Sequence, residues 1–537
     1  MDETERRFVP RGKTSQEDLA VVMKHFGLPK RFPAEVLEEA RTASKEKVTL
    51  KKGEKRLDLR KKFIFTCDPE SAKDYDDALS LWSDRKGNRV LGVHIADVSH
   101  YVKAGSALDR EAFRRSTSTY FPGKVVPMLP EELSDGLCSL VPGEDRFAFS
   151  VFITYDKNGE PVKREFAKSI INSKVRFTYE QVMGVITRLR FEARRLKLKA
   201  GEWKTVREIH SLAQQLRAQR FAAGALDIET SENELILDGE GMMTGLVERP
   251  YDESHQMIEE CMVAANEAVA KEIWTKGIRI LARYHGAPDP EKLLMLREEL
   301  RPLGVKCGNL ENPKVFSQFM QSVKRHPAYS TIAVMVLRSM KRALYDGANM
   351  GHWGLAKKYY AHFTSPIRRY PDLTLHRQLA AYLEAKEKGS NPCAGCKIPP
   401  KTLERWAMHT SEMEERSAEA ERAFTEIKKY RLLEEELASR IRVEYDGTIT
   451  KCARIGCFVE IPTIGVSGLV HVSRLSSRYV RFNESDHTLS SPGGGSWKCG
   501  DALKVVVERV DFAERHIDLA PATRAGNNRK KGRRQWN

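Results

Sequence analysis

The sequence predicts an α+β chain that ends in a small β-barrel. Three observations carry that reading. Short apolar runs bounded by turn residues fill the stretch from about residue 60 to 100. Apolar residues then recur at three- and four-residue steps through the middle of the chain. From about residue 442 the texture changes to apolar–polar alternation punctuated by Gly447, Gly456, Gly465 and Gly468.

At 537 residues, 41% hydrophobic and 31% charged, the chain has material for about three compact units, or for one large domain with smaller ones beside it. No run approaches the roughly 18–20 apolar residues of a membrane span. The opening "MDETERRFVPRGKTSQEDL" lacks the apolar core of a signal peptide. The expectation is a soluble, cytoplasmic protein that does not contact membranes. Nine cysteines without disulfide-like spacing read as reduced thiols. Cys393 and Cys396 form "CAGC" with no second pair nearby, which favours a loop over a zinc site. A net charge of +16 favours a polyanionic partner, because binding releases counterions from a phosphate backbone; solubility alone is the alternative.

Taken in order, residues 1–54 form a polar lead-in with short helices, one of them near "PAEVLEEARTAS". "FIFTC" reads as a strand, and "ALSLW", the turn "DRKGN" and "VLGVHIADV" as a hairpin. "VREIHSLAQQLRAQRFAAG", "SHQMIEECMVAANEAVAKEIW" and "STIAVMVLRSMKRALYD" carry helical periodicity. "TLERWAMHTSEMEERSAEAERAFTEIKKYRLLEEELASRIRV" predicts one long helix whose Glu and Arg residues form a solvated face of i,i+4 pairs. Residues 441–522 predict the barrel, interrupted by an insert containing "SSPGGGS". The basic tail, 523–537, reads as disordered.

One stretch runs against the charge of the whole. "CDPESAKDYDDALSLW" gathers Asp68, Asp74, Asp76 and Asp77 on a loop between apolar strands. Two carboxylates ~4 Å apart repel by roughly 4 kcal/mol at an effective dielectric near 20. They must splay, hold protons or share cations. Oxygen-only ligands suit a hard ion such as Mg²⁺ or Mn²⁺, and the loop lacks the glycine and distal Glu of a calcium EF-hand. A solvated acidic loop is the alternative, but apolar flanks favour a metal site. In a basic protein that points to phosphoryl chemistry. "YAHFTSPIRRYPDLTLHR" puts Arg368 and Arg369 between a Pro-containing turn and a helix, where guanidinium groups can grip phosphate or merely sit at the surface. "STSTYFPGKVVPMLP" offers Tyr120 and Phe121, either as stacking faces for unpaired bases or as a core aromatic pair.

Together these stretches resemble the RNase II/RNase R (RNB) superfamily of 3′→5′ exoribonucleases, with wording nearest RNase R. "DPESAKDYDDALS", "LGVHIADVSHYV", "STYFPGKVVPMLP", "GALDIE", "SHQMIEECMVAAN" and "HFTSPIRRYPDLTLHR" occur in the family's order. The resemblance implies an RNB catalytic domain over 55–440, with mixed sheets and surrounding helices around an RNA channel, followed by an S1-type OB-fold barrel over 441–522. It implies processive, two-metal-ion hydrolysis of single-stranded RNA, with passage through structured RNA left open, to nucleoside 5′-monophosphates, with Mg²⁺ as cofactor and Mn²⁺ as a substitute. The partner is the 3′ end of single-stranded RNA; the chain is expected to be a monomer without a stable protein partner. Carried over by position, Asp68, Asp74, Asp76 and Asp77 match the metal-site aspartates. Asp76, Asp77 and Arg368 match the catalytic groups, with loss of Asp76 the most selective for cleavage. Tyr120 matches the aromatic that packs on terminal nucleotides, and Tyr179 and Glu259 the positions linked to ribose recognition; Arg369, beside Arg368, is expected to bind RNA as a guanidinium. Two features depart from the pattern. Ile228 stands where the family often has a base-clamping phenylalanine. The two cold-shock domains usual ahead of the catalytic domain are not found in this sequence, which implies weaker RNA capture with cleavage retained. The competing readings are a catalytically silent RNA-binding relative and an endonuclease or DNase; the intact aspartates and Arg368 argue against the silent form.

Overall fold

Alternation from Asp77 to Ala96 builds the hairpin on which the larger part of the fold is laid. The computed structural model describes residues 10–522, apart from 51–53, 229–231, 392–396, 441, 485 and 493–494. Cys393 and Cys396, and the basic tail, lie outside the described residues. The first nine strands are β1 (Leu57–Asp58), β2 (Phe65–Cys67), β3 (Asp77–Ser83), β4 (Arg89–Ala96), β5 (Thr119–Phe121), β6 (Lys124–Val126), β7 (Asp145–Tyr155), β8 (Pro161–Asn172) and β9 (Val175–Phe177). Seven of them form one sheet in the order β1-β8-β7-β4-β3-β2-β9. The β1/β8 and β2/β9 pairs are parallel and the rest antiparallel. β5 and β6 make a separate hairpin.

Both faces of the sheet are buried, as the period of two requires when each face meets helices. Leu79, Leu91, Val93, Ile95, Phe149 and Val151 point to one face. There they pack on Val182, Val206, Ile209, Met257 and Cys261 from the helices Tyr179–Arg195, Ala200–Ala222 and Glu253–Thr275. Ala78, Val90, Ala96, Ala148 and Phe152 point to the other, against Val36 and Ala40 of helix Ala34–Ser44 and Leu108 and Ala112 of helix Ala107–Arg115. Each fully buried Val, Leu or Ile contributes roughly 1.5–3 kcal/mol. One polar stitch crosses the apolar layer: His94 lies between the hydroxyls of Ser80 (2.8 Å) and Ser150 (2.7 Å). It leaves no room at Gly92, where an added Cβ would stand 2.4 Å from Ser80 Oγ.

The predicted long helix is Pro400–Ala438, about 58 Å from end to end at 1.5 Å per residue. It ties the sheet region to the barrel. Met413, Ala420, Phe424 and Ile427 on its flank bury Val22 and Met23 of helix Ser15–His25 and Phe26 just beyond it, so the lead-in is packed onto the fold. One helix expectation is corrected. "STIAVMVLRSMKRALYD" is helical only over Tyr329–Ser339. Met340 turns to extended backbone, and Leu344–Asp346 form a strand against Ala282–Tyr284, with Tyr345 buried beside Leu281, Leu403 and Ala407.

The C-terminal strands Tyr445–Ala453, Gly456–Ile461, Val466–His471, Ala502–Asp511 and His516–Pro521 close into a barrel. The third strand pairs with the fifth in parallel and the fourth closes on the first, the connectivity of an OB fold. The predicted insert carries a small three-stranded sheet, Arg481–Asn483, Thr488–Ser491 and Gly495–Trp497.

Candidate active site

β2 ends at Cys67 and β3 begins at Asp77, so the acidic loop must reverse the chain between them. It is pinned along its length. The Asp68 amide donates to the Phe177 carbonyl (3.1 Å) and the Tyr75 amide to Ser139 Oγ (3.0 Å). Ser139 Oγ donates in turn to the Lys73 carbonyl (2.6 Å), and the Ala96 amide to the Asp76 carbonyl (2.9 Å). A loop so held has little freedom, and it presents Asp68, Asp74, Asp76 and Asp77 to one cleft of about 1720 Å³. The far wall includes Arg422, Thr425 and Lys429 of the long helix and Gly465, Val466 and Ser467 of the barrel.

Asp76 is only 4% exposed. Its Oδ1 accepts from the Ile367 amide (2.9 Å); its Oδ2 has no hydrogen-bond partner and lies 3.6 Å from Arg368 Nε. Asp68 Oδ2 is likewise buried without a partner. Burial pushes the Asp76 carboxyl well above its ordinary range, against the pull of Arg368. Burial, then the charge of Asp77, push Asp68 up to about 8, with Arg176 opposing. Burial lifts Asp77 to about 6, with Arg368 and Arg369 opposing. Orphaned, all-oxygen, buried carboxylates fit a hard divalent cation by donor chemistry. Among the described residues no three His, Cys, Asp or Glu side chains stand in the geometry of a finished metal cage. The fit is therefore of the donor set and its orphaned oxygens.

The arginine turn faces this loop because local and distant bonds agree. The Ser365 amide donates to Asp372 Oδ1 (2.8 Å), closing the turn at the start of helix Tyr370–Glu387. Arg369 forks onto the same carboxylate through Nε (3.0 Å) and Nη2 (2.8 Å). Backbone bonds from Ser118 to Arg368 (3.0 Å) and from Tyr370 to Ser116 (2.9 Å) lace the turn to the chain entering β5. Arg368, at 44% side-chain exposure, is the arginine left facing the cleft, with Nη2 on Ser365 Oγ (3.2 Å). Arg369 lines the cleft too, but its fork is held by Asp372.

Tyr120 and Phe121 divide between the two alternatives read from the sequence. Tyr120 is half exposed in the cleft, its amide donating to Glu421 Oε1 (2.9 Å) and its hydroxyl to Asp74 Oδ2 (2.9 Å). Phe121 is buried edge-on against Phe424, ring centroids 5.4 Å apart. Tyr179 and Glu259 line the same cleft. Ile228 is not among the described residues that line it; its side chain packs on the apolar cluster of the helices Pro290–Leu300, Pro313–Val323 and Tyr329–Ser339.

Some residues at the site carried little signal. Asp372 stands three positions after Arg369 at a helix N-terminus, a spacing that could have been read. Glu421 belongs to the charged stripe expected to be solvated; the structure instead turns that part of the long helix into the cleft wall. Arg176, whose Nη2 donates to the Pro69 carbonyl (2.5 Å), and Ser139 have no local signature at all.

The fold agrees with known proteins. The RNB domain, described by that name, matches residues 56–385, and the S1 RNA binding domain matches 443–520. The chain belongs to the RNB family and carries an S1 domain. Ribonuclease R of Thermotoga maritima is 40% identical over 504 residues, covering 93% of this chain and 69% of that protein. Ribonuclease R of Escherichia coli is 35% identical over 507 residues, covering 93% and 61%. The solved structure of Mycoplasma genitalium RNase R in complex with ribose methylated single-stranded RNA matches with a TM-score of 0.84 at 27% identity, over 96% of this chain and 79% of that one. The chain thus spans roughly two thirds of these curated relatives' length.

Proposed function

We propose that this chain is a 3′→5′ exoribonuclease that hydrolyses single-stranded RNA processively to nucleoside 5′-monophosphates. The observation that supports it best is the convergence of four aspartates, two with buried orphaned oxygens, with Arg368 beside them in one cleft of an RNB-family chain.

Asp68, Asp74, Asp76 and Asp77 would hold Mg²⁺, or Mn²⁺ in its place. Divalent ions bound there supply charge neutralisation and a more acidic attacking water. The chain's own groups do the rest. Asp76 is aimed by the Ile367 amide, so its free Oδ2 is directed at the cleft side occupied by Arg368. Arg368 neutralises charge that develops on the scissile phosphate; its Ser365 contact limits reorganisation as it does so. Tyr120, braced at both ends by Glu421 and Asp74, offers an aromatic face to the terminal base without reading its edge. Arg369 fixes the turn that carries Arg368 and adds positive charge to the RNA path. The S1 barrel extends the wall along which the strand would run.

The test is a 5′-labelled single-stranded RNA incubated with the protein and with Asp76→Asn, each with Mg²⁺ or chelator. The reading expects a very short labelled end product that needs Mg²⁺ and is lost in Asp76→Asn. A 3′-blocked RNA should resist, and an excess of unlabelled RNA added after binding should leave the first turnover of chains unaffected. RNA binding without cleavage under either metal would replace this reading with that of a silent RNA-binding relative. Cleavage of the 3′-blocked strand would replace it with an endonuclease.

A further inference from the structure

Helix Glu253–Thr275 lines the cleft through Ile258, Glu259, Met262, Val263 and Asn266, and the residues just before that stretch do more than start a helix. Asp252 is the N-cap: its Oδ1 accepts from the amides of Ser254 (3.0 Å) and His255 (3.4 Å). Capping needs nothing else. The same oxygen also lies 2.9 Å from His255 Nδ1, which sets the proton on Nδ1 and fixes the ring's direction. The ring lies flat on Tyr179, centroids 3.8 Å apart and planes 15° from parallel. Aromatic pairs left to themselves prefer offset or edge-on packing at about 4.5–7 Å. A closer, face-to-face pair needs an external hold, and Asp252 provides it.

The neighbouring residue acts on a second cleft group. The Tyr251 hydroxyl donates to Glu259 Oε2, while Arg220 Nη2 donates to Oε1 (3.1 Å). Tyr251 is 48% exposed and free to exchange with solvent or ligand. Tyr179 lines the same cleft as the acidic loop, and its phenol hydroxyl can donate a hydrogen bond. A phenol donor and a carboxylate acceptor that line one cleft with the acidic loop complement a group that both accepts and donates. A sugar 2′-hydroxyl is such a group; a deoxyribose offers nothing in its place. Moreover, a 2′-hydroxyl can replace the Tyr251 hydroxyl on Glu259 donor for donor, whereas a deoxyribose leaves that pair closed.

We infer that Tyr251, Asp252 and His255 form one positioning element that tunes ribose recognition, His255 by orienting Tyr179 and Tyr251 by competing for Glu259. The inference rests on reading the cleft as an RNA site. Its test therefore uses binding as well as cleavage. In an Asp76→Asn background, affinity is measured for a single-stranded RNA and for the same oligomer with 2′-deoxy sugars at its 3′-terminal nucleotides. His255→Ala is expected to lower the ribo-to-deoxy affinity ratio by about two- to tenfold. His255→Phe, which keeps a flat ring on Tyr179, should restore most of it. Tyr251→Phe should tighten ribo binding and leave deoxy binding unmoved. Urea midpoints of each variant show whether it folds, and Tyr251→Phe carries the test if His255→Ala does not. Equal losses on both oligomers, or an unmoved ratio in all folded variants, would overturn the inference alone. Absence of RNA binding and cleavage by the parent protein would overturn the functional reading, and this inference with it.

Discussion

Two regions of the molecule bury carboxylates, and they treat them in opposite ways. Asp18, fully buried between the lead-in helix and the long helix, is satisfied on every side. Arg431 reaches it through Nε (2.6 Å) and Nη2 (2.7 Å), the Gly12 amide donates to it (3.0 Å), and Lys428 Nζ lies 3.5 Å away. Asp76 has one backbone donor and an arginine at 3.6 Å. Asp68 and Asp76 each keep an oxygen with no partner. Both regions are buried and both carry carboxylates facing cationic side chains. What separates a structural carboxylate from a site for chemistry is therefore unsatisfied capacity held in place by satisfied surroundings.

Removing each carboxylate in turn separates the two regions. Asp76→Asn should reduce cleavage on the order of 10³-fold or more. The same change should stabilise the metal-free protein against urea, by about 1–3 kcal/mol, because it removes a carboxyl whose charged form burial disfavours and whose Oδ2 lacks a partner. A fall in stability would mean that Asp76 is held as a structural group after all. Asp18→Ala should do the reverse. It strands Arg431 and Lys428 and should cost about 3–5 kcal/mol in urea denaturation, with cleavage per folded molecule kept. Loss of cleavage in proportion to nothing but Asp18 would place that knot in the catalytic machinery.

The two regions also differ in how far the sequence discloses them. The acidic loop was legible, because four aspartates between apolar runs are a local signal and the hairpin beside them alternates cleanly. The Asp18 knot was not: Asp18 and Arg431 lie 413 positions apart, and each looks like an ordinary member of a charged helix face. The same blindness hid Glu421, 301 positions from Tyr120, inside a stripe read as solvated. Ile228 shows a different limit. Its place in a motif could be read, but the direction of its side chain is decided by the helices it packs on. The strand Leu344–Asp346 was lost because a short apolar run after a helix keeps the helix's period by chance, and only pairing with Ala282–Tyr284 distinguishes it. Local chemistry and periodicity are thus legible; long-range partners and side-chain direction are not.

Arg368 and Arg369 repeat the contrast within one turn. Arg368→Ala should lower kcat by about 10²–10³-fold with a smaller change in KM, since the group faces the reacting phosphate rather than the length of the strand. Arg368→Lys should recover only part of it, because an ammonium lacks the guanidinium fork. Arg369→Ala should act mainly through the turn, so single-turnover cleavage and thermal stability should fall together. An Arg369→Ala protein of unaltered stability and strongly reduced RNA affinity would instead make it a direct contact.

The smallest effect concerns a buried group that is satisfied only while neutral. His94 is enclosed by Ser80 and Ser150, and burial lowers its pKa to about 3, against about 6.5 in an unfolded chain. Because the folded value is depressed, the unfolded state binds the extra proton below pH 6.5. The stability contributed by neutral His94 is thus present above that pH and lost as pH falls toward 3, by about 2 kcal/mol at pH 5. His352, depressed to about 3, and His376, to about 4, tilt the same way, while the raised carboxyls of the cleft tilt the opposite way. The net slope of the wild-type protein therefore says little; the difference between it and His94→Asn isolates one group. Urea midpoints at pH 7 and pH 5 should show the variant losing less stability on acidification than the wild type. Parallel losses would show that the serine pair accommodates the imidazolium, and that the sheet, unlike the cleft, tolerates a buried charge.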